Sequence, residues 1–429
     1  MTDAGATARE EWRTGWPVVF SGFIGFMAFS TMIAAMSAFM GPLAKEFGWS
    51  RTVISIGTGA PSIIIALASP FYGILLDKYG PRRLVLPGII LSGLAVVAMA
   101  FNTGSAILWY GIWIFYALAA LFVNTPNWTM AIAGLFTRAQ GMALAITLAG
   151  ATAAHATIPV LSVFLIDALG WRMAFVALGA GFGGLAFVVC YFLFHGAQDR
   201  TRLAQRGKPG EADAPAQPAA TGEQPGLTLA EAWRSRALWQ IGISILIIML
   251  LTIGFLVHQI EILIETGVSR EMAAGLAGLA GAMGIVGKLV TGFLIDRYPG
   301  NWVGGLTMST AAIAFALLLR DSPTTAIIVM AMLVNGYTAG AKLHIASYLT
   351  VQYAGLRNFG KIYGVISSLV SVGSGIGPIV AGMIYDATGS YSTFLLAGAA
   401  ALAFSSLLLL TLPRYPAWSA HGRSEPAAA

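Results

Sequence analysis

Only one of the 429 residues is a cysteine, Cys190, and only 10% are charged. A lone cysteine within an apolar stretch excludes an internal disulfide and a thiolate metal cluster, and leaves it as core filler. So little charge excludes an ordinary soluble domain, which could not be solvated at this length. A Walker-type phosphate loop, a metal-spaced His or Cys cluster and a nucleophile elbow are all missing, which argues against an enzyme, a metal and a bound cofactor. There is also no long ordered tail to make the chain a sensor. The first apolar stretch is too long for a signal-peptide core and has no convincing cleavage site, so it reads as a retained helix.

Hydrophobicity fills the chain instead. Apolar residues make up 57% of it, and mean hydropathy is +0.77. Runs of about 20 residues, enough to cross roughly 30 Å of hydrocarbon at 1.5 Å per residue, recur between short polar breaks. Twelve such spans are predicted, near 17–40, 52–76, 84–101, 106–135, 140–165, 172–194, 238–262, 271–295, 302–319, 323–351, 360–384 and 391–412. With both ends cytoplasmic, 17 of the 24 basic residues face inward, five (Lys45, Arg51, Arg172, Arg270, Arg320) face outward, and Lys288 and Lys342 fall inside helices. That asymmetry fixes the orientation in a bacterial-type inner membrane. The basic pI of 9.5 then reports topology and contact with anionic membrane lipid, and nothing about nucleic acid.

Shifted by 219 positions, the distance from Asp77 to Asp296, the chain matches itself. Glu46, Gly48, Ser50 and Arg51 fall on Glu265, Gly267, Ser269 and Arg270; Arg138 falls on Arg357; Pro159, Asp167 and Gly170 fall on Pro378, Asp386 and Gly389. A same-orientation repeat in a very apolar chain points to a transporter with two related halves. The expected layout is an all-α membrane protein: a tail at 1–16, a six-helix bundle at 17–195, a polar linker at 196–237, a second bundle at 238–413 and a tail at 414–429. Within the linker, residues 227–239 have helical apolar spacing, as a plain linker helix or as a helix along the membrane surface. In the eighth predicted helix Gly275, Gly278, Gly281, Gly284 and Gly287 recur every third position, a smooth strip suited to tight packing or to sliding.

The loop after the second helix reads Gly73-Ile-Leu-Leu-Asp77-Lys78-Tyr-Gly80-Pro-Arg82-Arg83, and its partner reads Gly292-Phe-Leu-Ile-Asp296-Arg297-Tyr. Both resemble the G-x-L-A-D-R-x-G-R-R signature of the major facilitator superfamily. The resemblance implies the major facilitator fold and cytoplasmic latches, in which Asp77 and Asp296 cap a helix and pair with Arg138 or Arg357. Glu46-Phe-Gly-Trp49-Ser50-Arg51, Arg138-Ala-Gln-Gly141 and Gly170-Trp171-Arg172 resemble the monocarboxylate porter and oxalate:formate antiporter branch, as do Val257-His258-Gln259 and Glu265-Thr-Gly267. The run Ala151-Thr-Ala-Ala-His155 departs from the glycine-rich helix five of drug:proton antiporters, making multidrug efflux less fitting.

An ionisable side chain inside the bilayer is costly and normally faces a cavity. Lys288 and Lys342 lie at comparable depth and make a candidate anion site, against the alternative that each snorkels to the interface. In the family, helix eight carries an arginine that pairs with substrate carboxylate, and the resemblance puts Lys288 there; lysine keeps the charge but loses the bidentate fork. His344 points about 200° away from Lys342 on a helix, so at most one faces a cavity squarely. Asn124, Asn127 and Trp128 in the fourth helix could contact substrate or simply pack. His155, one turn before Pro159, and the one-turn pair His258 and Glu261 are candidates, with His344, for carrying a proton. The expected activity is alternating-access transport of a small organic monocarboxylate or related, possibly aromatic, organic anion, by proton symport or exchange, as a monomer and in the direction of uptake. The alternative is an exporter of a neutral or cationic small molecule.

Overall fold

The computed structural model describes residues 8–136, 139–196, 226–295, 297–320, 323–355 and 357–416, and among these the regular structure is helical apart from one isolated bridge between Gly226 and Gly355. The chain divides into two compact units, Met1–Trp49 with Ile56–Ala214, and Ser50–Ser55 with Pro215–Ala429.

In the first unit α1 (Ala8–Phe47) is followed by α2 (Arg51–Tyr79), whose opening turn belongs to the second unit, and by α3 (Pro81–Met99). The predicted fourth helix is interrupted. It consists of α4 (Ala106–Leu121) and α5 (Thr125–Ala133), because the Asn124 side chain accepts from Thr125 N at 2.7 Å as an N-cap. Pro126 suits the restart, since in the first turn of α5 its missing N–H costs no helical hydrogen bond, whereas in an unbroken helix it would remove one. The fifth and sixth spans run together as α6 (Gln140–Val176), a π-helical turn (Ala177–Phe182) and α7 (Gly183–Leu193), but Gly170 inside α6 has φ 77° and ψ 158°, a conformation glycine adopts readily and other residues rarely. α1 and α6 meet closely: a Cβ on Gly150 would lie 2.1 Å from the Phe23 carbonyl oxygen.

The second unit contains a short α8 (Leu229–Arg234), then α9 (Arg236–Glu265), α10 (Arg270–Ile295), α11 (Gly300–Leu318), α12 (Thr325–Ala354), α13 (Phe359–Thr388) and α14 (Ser392–Leu410). α9 packs along α13, α10 along α12, and α11 against α14. Eleven helical segments among the described residues are long and apolar enough to cross a membrane, and one of them, Met142–Leu193, has 52 residues.

Two segments quoted above for their motifs touch one another. Glu46 accepts from the Trp171 indole and, at 2.5 Å, from Arg172. In the second unit the residues 219 positions on make the corresponding contact: Glu265 accepts from Tyr391 N at 3.0 Å and from the Ser390 hydroxyl at 3.4 Å. Gly48 and Gly267 both have positive φ (64° and 93°), as do Gly170 and Gly389 (77° and 74°).

Candidate anion site in the second unit

α10 and α12 are pressed together backbone to backbone. A Cβ on Gly336, Gly340 or Gly287 would lie 2.2, 1.9 or 2.1 Å from the carbonyl oxygen of Ala280, Gly284 or Tyr337 respectively. Glycine is therefore required, because a side chain at any of these places would force the helices apart. Of the glycine strip in α10, Gly284 and Gly287 take part in this contact, whereas Gly275 meets open space. The packing brings Lys288, the residue after Gly287, close enough to α12 for its charge to act on His344. One turn further on, Thr291 donates to the Tyr337 hydroxyl at 3.3 Å.

Lys342 takes the opposite face of α12. It is only 6% exposed, and its Nζ donates to Thr252 Oγ1 of α9 at 2.5 Å, while the Thr252 hydroxyl donates to the Ile248 carbonyl at 2.6 Å. An ammonium has three hydrogens to place, and here a neutral hydroxyl takes one of them. No carboxylate pairs with Lys342 among the described residues. Two turns earlier on the same face is Asn335, 7% exposed, whose Oδ1 has no hydrogen-bond partner. His344 is exposed, so the divergence expected of Lys342 and His344 is found: one points into the unit, the other toward Lys288.

His258 and Glu261 take different partners. His258 is fully buried, with Nε2 2.9 Å from Ser55 Oγ and 3.0 Å from the Pro378 carbonyl, and Nδ1 2.6 Å from the Tyr391 hydroxyl. A carbonyl can only accept, so Nε2 carries a hydrogen. Glu261 pairs with Arg51 at 2.5 Å. Asp386 accepts the N–H groups of Arg51 and Thr52, both at 2.9 Å, and so caps the start of α2. Arg51 and Asp386 were visible as repeat positions. Ser55, Thr252, Asn335 and Tyr391 carried no signal, because hydroxyl and amide residues are common in helices of every kind.

In the first unit Asn127 and Trp128 are fully buried. Asn127 accepts from the Tyr72 hydroxyl at 2.5 Å; Trp128 donates to the Val123 carbonyl at 2.7 Å and meets Phe194 edge to face. Asn124 is the cap already noted, and His155 is half-buried with contacts of its own. Of the expected latches, Arg138, Asp296 and the Asp77 side chain lie outside the described residues. Gly73 lies within α2 and Gly292 within α10. Arg82 donates to the Phe194 and Tyr191 carbonyls at the end of α7, Arg297 stacks on Phe293 at 3.6 Å, and Arg357 is exposed.

The family model of the Major Facilitator Superfamily matches residues 18–301 and 259–428. Monocarboxylate transporter 13 of Bos taurus is 26% identical over 416 residues, covering 95% of this chain and 91% of its own length. The uncharacterized MFS-type transporter YhjX of Escherichia coli is 24% identical over 387 residues, 86% of each chain. Among solved structures, a D-xylose-proton symporter superposes with a TM-score of 0.68 at 12% identity, covering 94% of this chain and 98% of its own. A bacterial homolog of the human lysosomal transporter Spinster gives 0.66 at 16%, covering 95% of both chains. With its helices apolar enough to span a bilayer many times over and a family match along nearly its whole length, the chain belongs to the Major Facilitator Superfamily and is a multi-pass membrane transporter, not an enzyme.

Proposed function

We propose that the protein carries an organic monocarboxylate or related organic anion by alternating access, in the direction of uptake and with proton symport or anion exchange. The observation that carries this reading is Lys342: a buried cation held by one hydroxyl, with no carboxylate paired to it. Burying a charge in a membrane helix is costly, and a negatively charged ligand supplies the missing compensation. Lys288, with His344 beside it on the neighbouring helix, adds a second positive group. Both are ammonium groups without the bidentate fork of arginine, which suits carboxylates of varied geometry. The printed name of the bovine relative points to the same substrate class. Asn124, Asn127, Trp128 and His155 are the first-unit residues assigned to substrate; His155, His258, His344 and Glu261 are the groups available for a proton.

The same reading takes Met142–Leu193 as two crossings that part at Gly170, making twelve spans in two six-helix bundles of an inner membrane, with both ends cytoplasmic. Fifty-two helical residues would extend about 80 Å, well over the roughly 30 Å of hydrocarbon. In this reading Asp77 and Asp296, pairing with Arg138 or Arg357, act as cytoplasmic latches.

Uptake of radiolabelled monocarboxylates into proteoliposomes under an imposed proton gradient tests the substrate class. Lys342→Ala and Lys288→Ala are each expected to lower uptake roughly tenfold or more, the worth of one hydrogen bond to a charged group. Undiminished carboxylate uptake by Lys342→Ala would remove the basis of the assignment, and transport of a cation or neutral solute alone would establish the exporter reading.

A further inference from the structure

α8 and its surroundings take no part in the transport site just proposed. Its start is closed by a capping box, in which Glu231 N donates to Thr228 Oγ1 at 3.3 Å and Thr228 N donates to Glu231 Oε2 at 2.7 Å. Those bonds, with the charge of Arg357 adding to them, hold the Glu231 carboxyl below the usual carboxylate range, so it stays ionised. The segment is strapped in place at both ends. Leu227 N donates to the Ala354 carbonyl at 2.8 Å, Asn358 donates to the Leu227 carbonyl at 2.9 Å, and the Trp239 indole donates to the Trp233 carbonyl at 2.9 Å.

Two concavities flank α8. An open groove is walled by Leu229, Trp233, Trp239, Ile362 and Val365, with Lys361 the one charged group in its lining. Trp233 is 65% exposed there, and Trp233 and Trp239 meet edge to face. On the other side, an open pocket collects Arg234, Arg236 and Arg414, with Glu231 the one acidic group in its lining, so the arginines outnumber it three to one. None of the three pairs with a carboxylate among the described residues. Oily wall and arginine cluster adjoin at the turn from Arg234 to Arg236, where α8 gives way to α9.

We infer that this is a binding site for an anionic phospholipid, with an acyl chain along the Leu229–Trp233–Trp239 groove and the headgroup phosphate held by Arg234, Arg236 and Arg414. The groove is walled in part by α9 and α13, both of which are long and apolar enough to span the membrane, so lipid is the apolar partner in reach. Exposed tryptophan with an apolar body and a polar edge suits the interface between hydrocarbon and water. Guanidinium forks match phosphate oxygens two at a time. A free phosphate would leave the groove uncovered, and a zwitterionic lipid would bring its own cation beside its phosphate and so offset less of the arginine charge. An anionic lipid satisfies both.

Native mass spectrometry of the purified full-length protein, titrated with dioleoyl phosphatidylglycerol, dioleoyl phosphatidylcholine, dihexanoyl phosphatidylglycerol or inorganic phosphate, provides the test. The wild type is expected to retain the long-chain anionic lipid in preference to phosphatidylcholine. Each of Arg234→Ala, Arg236→Ala and Arg414→Ala should weaken that lipid about fivefold, and the triple variant should not distinguish the two headgroups. Trp233→Ala should lower affinity for the dioleoyl but not for the dihexanoyl lipid. The triple Arg→Lys variant, which preserves charge but loses the forks, should keep the preference for the anionic lipid with weaker retention, and controls for folding. Equal retention of both long-chain lipids by the wild type, or an unchanged preference in the triple alanine variant, would overturn the proposal. So would displacement of the bound lipid by inorganic phosphate at equal concentration, which would assign the arginines to a free anion.

Discussion

His258 shows how much one buried side chain can hold together. Its ring joins α9 to the start of α2 through Ser55, to α13 through the Pro378 carbonyl and to the Tyr391 hydroxyl, with no exposure of its own. Replacing it with phenylalanine keeps the shape and removes every bond, so that the Pro378 carbonyl and the Tyr391 hydroxyl lose this partner in a buried setting. At about 1–3 kcal/mol for each unsatisfied group, His258→Phe is expected to lose about 3 kcal/mol or more, read as a lowered midpoint of thermal unfolding in detergent. A midpoint within a degree of wild type would show that these bonds contribute little. The pairing of His258 with Glu261 suggested by their one-turn spacing is replaced by two separate sets of partners, because Ser55, Tyr391 and Arg51 arrive from distant parts of the chain. Lys288 and Lys342 were legible for the opposite reason: an ammonium in an apolar run stands out whatever its neighbours. Thr252, which holds Lys342, was not, since threonine is unremarkable in such a run.

At the scale of helices, the pairing of α10 with α12 rests on backbone approach more than on side chains. Gly340→Ala would put a methyl 1.9 Å from the Gly284 carbonyl oxygen, where no flexible group can yield. Overpacking of this kind costs about 1–3 kcal/mol and here would also displace Lys288 from His344, so transport and thermal stability should fall together. Gly275→Ala, on the same strip but facing open space, should be neutral in both assays, apart from the small gain from a better helix former. Equal tolerance at the two positions would show that the helices separate at little cost. The periodicity of the sequence showed the strip, but not which of its glycines a partner helix would meet. Most helices were foreseen within a few residues, since long apolar runs with short breaks leave little choice. The break at Asn124 was missed because the apolar run continues through it, and only the Asn-Thr-Pro chemistry marks the cap.

For the molecule as a whole, the 219-residue register was legible because helix ends need particular residues: a glycine with positive φ, and a carboxylate placed to accept from a neighbouring turn. Glu46 with Trp171 and Arg172, and Glu265 with Ser390 and Tyr391, meet that need in the two units with different partners. The groups proposed to hold the anion break the register, so no repeat could have located them. Lys342 also bears on the stability of the whole chain. A cation kept beside a single hydroxyl is a standing load on the fold, and replacing an imperfectly compensated buried charge with an apolar side chain of similar volume is often neutral or stabilising by about 1–4 kcal/mol. Lys342→Met is therefore expected to melt at a higher temperature than wild type while losing anion uptake; a lower melting temperature would show that the lysine is there for packing. If Lys342→Met does melt higher, the water was stripped from the cation when the chain folded, long before any substrate arrived. The proposed carboxylate substrate would then have only its own hydration to shed, and part of the selectivity proposed for the carrier would be stored in advance as instability of its empty state.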